Sequence, residues 1–122
     1  GVEGAGYSAA CWALAGRIAE AAQRIEALPP EQQSVAAGIV FGVGHPVADM
    51  GDDLSAGPIM DLVVRYQPTN YMALYHAGMS AYATGRTEVA IDHLRRFLTI
   101  YTAGDGWRGN ALVVLERLGV SP

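Results

Sequence analysis

Apolar residues along this chain recur every three or four positions and nowhere alternate with period two for long, a pattern that predicts helices and no sheet. Leu14, Ile18, Ala21, Ile25 and Leu28 mark a first helical stretch from about Tyr7 to Leu28, ended by Pro29-Pro30. Pro30 suits the first turn of the next helix, because a residue there donates no intrahelical bond, and Glu31 suits the positive end of its dipole. That helix carries Val35 to Val43 and is expected to kink or end at His45-Pro46. Asp49 to Asp53, with Gly51, reads as a turn in which Asp52 or Asp53 caps a further helix containing Ile59, Leu62, Val63 and Tyr66, with Pro58 in its first turn. Gln67 to Asn70 is the next break, Tyr71 to Thr84 a strongly helical run, and Gly85-Arg86-Thr87 a tight connection to a helix over Glu88 to Tyr101. A last helix places Trp107, Ala111, Leu115 and Leu118 on one stripe, with Arg108, Asn110, Glu116 and Arg117 facing water.

The segments are related to one another. A shift of 34 residues brings Gly44 onto Gly78, Gly51 onto Gly85, Gly85 onto Gly119, Ala56 onto Ala90, Met60 onto Leu94, Val63 onto Phe97 and Val64 onto Leu98. Gly16 joins the same frame if one residue is inserted. A fixed period of this length arises when each two-helix unit buries its apolar face only against the next unit. The earlier glycine of a unit then permits close helix approach, and the later one sits where a positive φ lets two antiparallel helices be joined.

On these residues the chain resembles the tetratricopeptide repeat family, with Leu74, Gly78, Ala81, Gly85, Ala90, Ile91, Leu94 and Phe97 at that family's spacing in the best copy. The preceding copy keeps Gly44, Gly51, Ala56, Met60 and Pro68 but departs at Pro46 and Pro58, and Val40 and Leu74 stand where the family has a bulky aromatic. The resemblance implies one all-α domain over 1–122, a right-handed stack of antiparallel helix hairpins. It would comprise a degenerate first hairpin at 7–36, repeats at 37–70 and 71–104, and a capping helix at 105–122.

Composition narrows the work such a chain does. With 122 residues, 51% of them apolar, it is long enough for a single core and has no apolar run the length of a membrane span. A net charge of −4 argues against a protein that tracks nucleic-acid phosphates, and neither a nucleic acid nor a membrane is expected as partner. All eight basic residues are arginine, so lysine chemistry and a Walker A loop are excluded. Cys11 is the single cysteine, which excludes an internal disulfide. The chain opens on Gly1 and not on methionine, so a leader is not legible; a cytoplasmic location is the expectation.

Candidate chemistry is sparse. Gly42-Val43-Gly44 lacks the third glycine of a dinucleotide loop, and Pro46 stands where such a loop's helix would open. His45, Asp49, Asp52 and Asp53 are the densest run of possible metal ligands, but their spacing matches no calcium loop and a capping turn explains Asp52 and Asp53. His76 and His93 read as surface histidines, and Ser55, Ser80 and Cys11 lack the context of a nucleophile. No enzyme activity, cofactor or metal is expected.

The informative feature is the outer face of the Tyr71–Thr84 helix, where Tyr75, Met79 and Tyr82 form a stripe flanked by His76, with Phe41 and His45 as equivalents one repeat earlier. By resemblance this stripe lines a concave groove for a partner peptide. Because the groove carries no lysine or asparagine, an apolar or aromatic-bearing segment suits it better than a C-terminal carboxylate, as for small bacterial chaperones of the family. The alternative is that the N-terminal helices fold over the stripe and make it core. A protein or peptide partner is therefore expected, with assembly into a homo-oligomer through exposed helix faces as the second reading.

Overall fold

The computed structural model describes residues 1–122 and contains seven helices and no strand. They are α1 (Val2–Leu14), α2 (Ile18–Glu26), α3 (Pro30–Asp49), α4 (Asp53–Tyr66), α5 (Tyr71–Ala83), α6 (Thr87–Ile100) and α7 (Gly106–Arg117). Consecutive helices pair as α1 with α2, α3 with α4 and α5 with α6; α1 also packs along α3, α4 along α5, and α7 lies against α5 and α6. None of the helices is long and apolar enough to cross a membrane.

Four glycines define the turns. Gly16, Gly51, Gly85 and Gly119 have φ of +79°, +79°, +78° and +74°, and no other residue has positive φ. Each closes its helix in the same way. The glycine N–H reaches back three residues (Gly85 to Tyr82, 3.2 Å) and the next N–H reaches back five (Arg86 to Ala81, 2.8 Å), which satisfies two otherwise orphaned carbonyls. The same pair of bonds recurs at Gly16, Gly51 and Gly119. The turn reading of the period is thus realised, and it corrects the single stretch from Tyr7 to Leu28. That segment is two helices hinged at Gly16, and the first begins at Val2.

The other glycine series sets how close paired helices come. A Cβ at Gly44 would lie 2.7 Å from Ile59 Cγ2, and one at Gly78 would lie 2.7 Å from both Cγ and Cδ2 of Leu94. The two crossings thus pair Gly44 with Ile59 and Met60, and Gly78 with His93 and Leu94, each set 34 residues from the other. Around them Val40, Ile59, Met60, Leu62, Val63, Leu74, Leu94, Phe97 and Leu115 are fully buried and form one continuous core with the alanines of α1 and α2.

Pro46 does not end its helix, and Pro58 falls one turn later than expected. α3 runs through Pro46 to Asp49, and Pro58 lies in the second turn of α4, not the first. The carbonyls they leave without a partner belong to Gly42 and Leu54, both exposed, so water can take the freed acceptors. Asp52 caps α4 by accepting from Ser55 N at 3.3 Å, Asn70 caps α5 by accepting from Ala73 N at 3.0 Å, and Asp105 caps α7 by accepting from Trp107 N and Arg108 N.

The buried face of α7 consists of Ala111, Val114 and Leu115. Trp107 does not belong to it and stays 41% exposed, its ring meeting Tyr75 of α5 instead. Nor does Arg108 face water freely. Its guanidinium donates to the Leu98 and Tyr101 carbonyls at 3.4 and 2.9 Å, placing a cation at the negative end of α6 and fastening α7 there.

Candidate functional site

Phe41, His45 and Asp49 stand at successive four-residue steps on α3 and so share one face. Tyr75, His76, Met79 and Tyr82 present from α5, and Trp107 from the first turn of α7. The rings form a connected series. Phe41 stacks on His45 at 4.7 Å between centroids, His45 meets His76 edge-on at 5.0 Å, His76 meets Tyr75 at 5.4 Å, and Tyr75 meets Trp107 at 5.1 Å with an interplanar angle of 89°. Beside this series lies a recess of about 340 Å³ lined by Ala48, Asp49, Asp53, Tyr75, His76, Met79, Tyr82, Ala83 and Trp107.

All six residues expected on the stripe are therefore neighbours, but they are not equally accessible. Met79, Tyr82, Phe41 and His45 are half-buried, whereas Tyr75 is only 5% exposed and His76 only 7%. The element that covers Tyr75 is not the N-terminal part of the chain. Phe97 of α6 and Trp107 of α7 flank its ring, and Asn110 Nδ2 donates to its hydroxyl at 3.1 Å. Tyr75 is thus a core residue with a satisfied polar tip. Sequence reasoning missed Trp107, Asn110 and Asp53 here, and their signal was weak because they come from other helices.

His76 is no surface histidine. Its Nε2 is buried without a hydrogen-bond partner and lies 3.5 Å from Asp49 Oδ1, as does His45 Nε2; the three ligand atoms are all within 4.8 Å of one another. Burial lowers the His76 pKa below the ordinary imidazole value, and a charge on His45 would lower it further, against opposing pulls from Asp49 and Asp53. Burial thus disfavours a charged ring at this position. Asp53 is committed elsewhere, accepting from the Ser80 hydroxyl at 2.8 Å, and Asp52 is the α4 cap.

His93 is also largely buried, and serves structure. Its Nε2 lies 3.2 Å from Asp61 Oδ1, while Arg86 donates to Asp61 Oδ2 at 3.1 Å, so one carboxylate ties α4, the α5–α6 turn and α6 together. Burial works to raise the Asp61 pKa, but the hydrogen bonds from His93 and Arg86 outweigh it and hold the group below its ordinary value. Cys11 is exposed on α1, unconnected to either cluster by any hydrogen bond. The chain matches no protein-family model, no curated protein and no solved structure.

Proposed function

We propose that this chain is a helical-repeat binding protein of the tetratricopeptide kind, a right-handed stack of hairpins that holds a protein segment in the recess between α3, α5 and α7. The observation that carries the reading is the recess itself, in which Met79, Tyr82 and a 41% exposed Trp107 surround about 340 Å³ of open space. Aromatic and thioether side chains give large contact area at modest entropic cost, and they anchor interfaces more often than other residues do. Asp49 and Asp53 on the same wall, in a chain of net charge −4, favour a segment with a basic residue beside its apolar anchor. The repeated glycine crossings support the stacked architecture, because equivalent hairpins place equivalent faces side by side. The reading is of a binder, and Ser80, which donates its hydroxyl to Asp53 of the recess wall, is engaged in holding that wall.

The test uses Trp107 as its own reporter. In a Trp12→Phe background, titration with peptides bearing an aromatic anchor and a flanking arginine should shift Trp107 emission saturably. Met79→Ser with Tyr82→Ser should weaken binding by about thirtyfold, the scale of roughly 2 kcal/mol lost with two anchors. Unchanged affinity in the double variant would move the binding face elsewhere. Light scattering across a concentration series separates segment binding from self-assembly, since an assembling chain grows in mass as concentration rises.

A further inference from the structure

The run His45, Asp49, Asp52, Asp53 is sorted by the fold into separate tasks. Asp52 caps α4 and Asp53 accepts from Ser80, which leaves His45 and Asp49 one turn apart on α3, facing His76 across the junction with α5. A buried imidazole nitrogen with no partner is costly, and this chain has two, His93 Nδ1, which lies 3.7 Å from Asp92 Oδ2, and His76 Nε2. The latter belongs to a residue more than nine-tenths buried, and it is aimed at Asp49 Oδ1.

The distances suit a shared cation better than a hydrogen bond. Both Nε2 to Oδ1 separations are 3.5 Å, long for a charge-assisted N–H···O contact. Two ligands bound at ~2.0–2.1 Å in tetrahedral geometry stand roughly 3.3 Å apart, close to what is observed. The two imidazole nitrogens lie no more than 4.8 Å apart, so the half-buried His45 ring would turn toward His76 for both to reach one cation. We propose that His45 Nε2, Asp49 Oδ1 and His76 Nε2 bind one divalent transition cation, with zinc(II) the best match.

Two imidazoles and one carboxylate make an intermediate donor set. Calcium and magnesium prefer oxygen throughout, and copper(I) prefers sulfur, which this site lacks. The carboxylates of Asp49 and Asp53, on the same wall, would balance the charge that the cation adds. Three ligands from the chain would leave the fourth position of a tetrahedral ion for water. The inference does not depend on segment binding, although it shares Asp49, His76 and the recess with that reading.

The experiment takes the full chain, stripped with a chelator and desalted, and titrates it with zinc chloride by calorimetry. The expected result is one zinc per chain in the micromolar range or tighter, a melting temperature raised by several degrees, and visible d–d bands of tetrahedral intensity with cobalt(II) as surrogate. Asp49→Asn and His45→Gln alter accessible side chains, so both should keep the wild-type helical circular dichroism while binding zinc at least about tenfold more weakly. Cys11→Ser should bind as the wild type does. Absence of saturable heat and of thermal stabilisation in the folded wild type overturns the site. So does undiminished affinity in both α3 variants, or loss of binding in Cys11→Ser, since either places the metal elsewhere.

Discussion

Replacing Gly78 by alanine tests whether the glycine series is architecture or chance. Alanine is the better helix former by about 1 kcal/mol, so at an open helical position the change stabilises. Gly42 on α3 is such a position, with nothing within 4 Å of an added Cβ, and Gly42→Ala should gain close to that amount. At Gly78 the same Cβ would lie 2.7 Å from two atoms of Leu94 and 3.4 Å from His93 Cβ. One of those atoms is Cγ, the branch point of a fully buried side chain, so no free end can swing away. Either α5 and α6 separate or Leu94 leaves its rotamer, and overpacking of that kind costs roughly 1–3 kcal/mol.

The two effects oppose each other, so Gly78→Ala should be destabilising by about 1 kcal/mol net, and about 2 kcal/mol worse than Gly42→Ala. For a chain of this size each kcal/mol moves the melting temperature by roughly 3–5 °C. Urea unfolding of both variants measures the contrast. Leu94→Ala supplies the sharper test, because it removes Cγ and Cδ2 together and leaves space that an alanine at 78 can occupy. The double variant should then be more stable than the sum of the singles by roughly 1–2 kcal/mol. Additivity within about 0.5 kcal/mol, or stabilisation by Gly78→Ala, would refute the reasoning.

Other outcomes follow from the contacts. The folded state holds the Asp61 carboxyl below its ordinary pKa, so its contribution is present above the unfolded value near ~3.9 and fades as pH falls through the folded one. The stability difference between wild type and Asp61→Asn should therefore shrink from pH 7 to pH 3 in urea unfolding, and a difference independent of pH would contradict the ion-pair account. Trp107→Ala should cost about 1.5 kcal/mol and not the ~3 kcal/mol of a fully buried aromatic, because much of the indole remains in water; no loss at all would deny its packing on Tyr75. Tyr75→Phe forfeits the Asn110 hydrogen bond and should cost about 1 kcal/mol, whereas Tyr75→Ser should cost ~3 kcal/mol or more by emptying a core site. If Tyr75→Ser leaves the unfolding midpoint unchanged, the ring is not core.

What could be read from the chain depended on how local the deciding physics is. Positive φ at a helix C-terminus and an approach too close for a Cβ are demands that glycine alone meets cheaply, so a glycine period of 34 announced both the turns and the crossings. It even located Gly16, where apolar periodicity ran on unbroken and suggested one helix in place of two. That Pro46 does not end its helix was not legible, because a helix tolerates the ring's clash and the freed carbonyl more cheaply on its solvent side, and whether Gly42 faces water is decided by the packing of α3 and not by residues 42 to 46. Tyr75 and His76 misled for a related reason. Their helix face is apolar enough to bind something, and what covers much of it is Trp107 and Asn110, some thirty residues later.

The internal repeat also shows which residues the scaffold does not need. Shifted by 34, the architectural positions stay alike: Gly44 with Gly78, Gly51 with Gly85, Ala56 with Ala90. The positions around the recess do not. His45 falls on Met79, Asp49 on Ala83, Gly42 on His76, Ala48 on Tyr82 and Ala73 on Trp107. The recurring helix pairs use the first set, since its glycines fill a turn or a crossing that recurs and its alanines are fully buried. It places no such demand on the second, and the polar members there carry a cost, above all the unpartnered nitrogen of His76. A polar trio that occurs at one junction and is replaced by methionine, alanine and Asn110 at the next is not explained by helix packing, and the proposed cation would offset its cost.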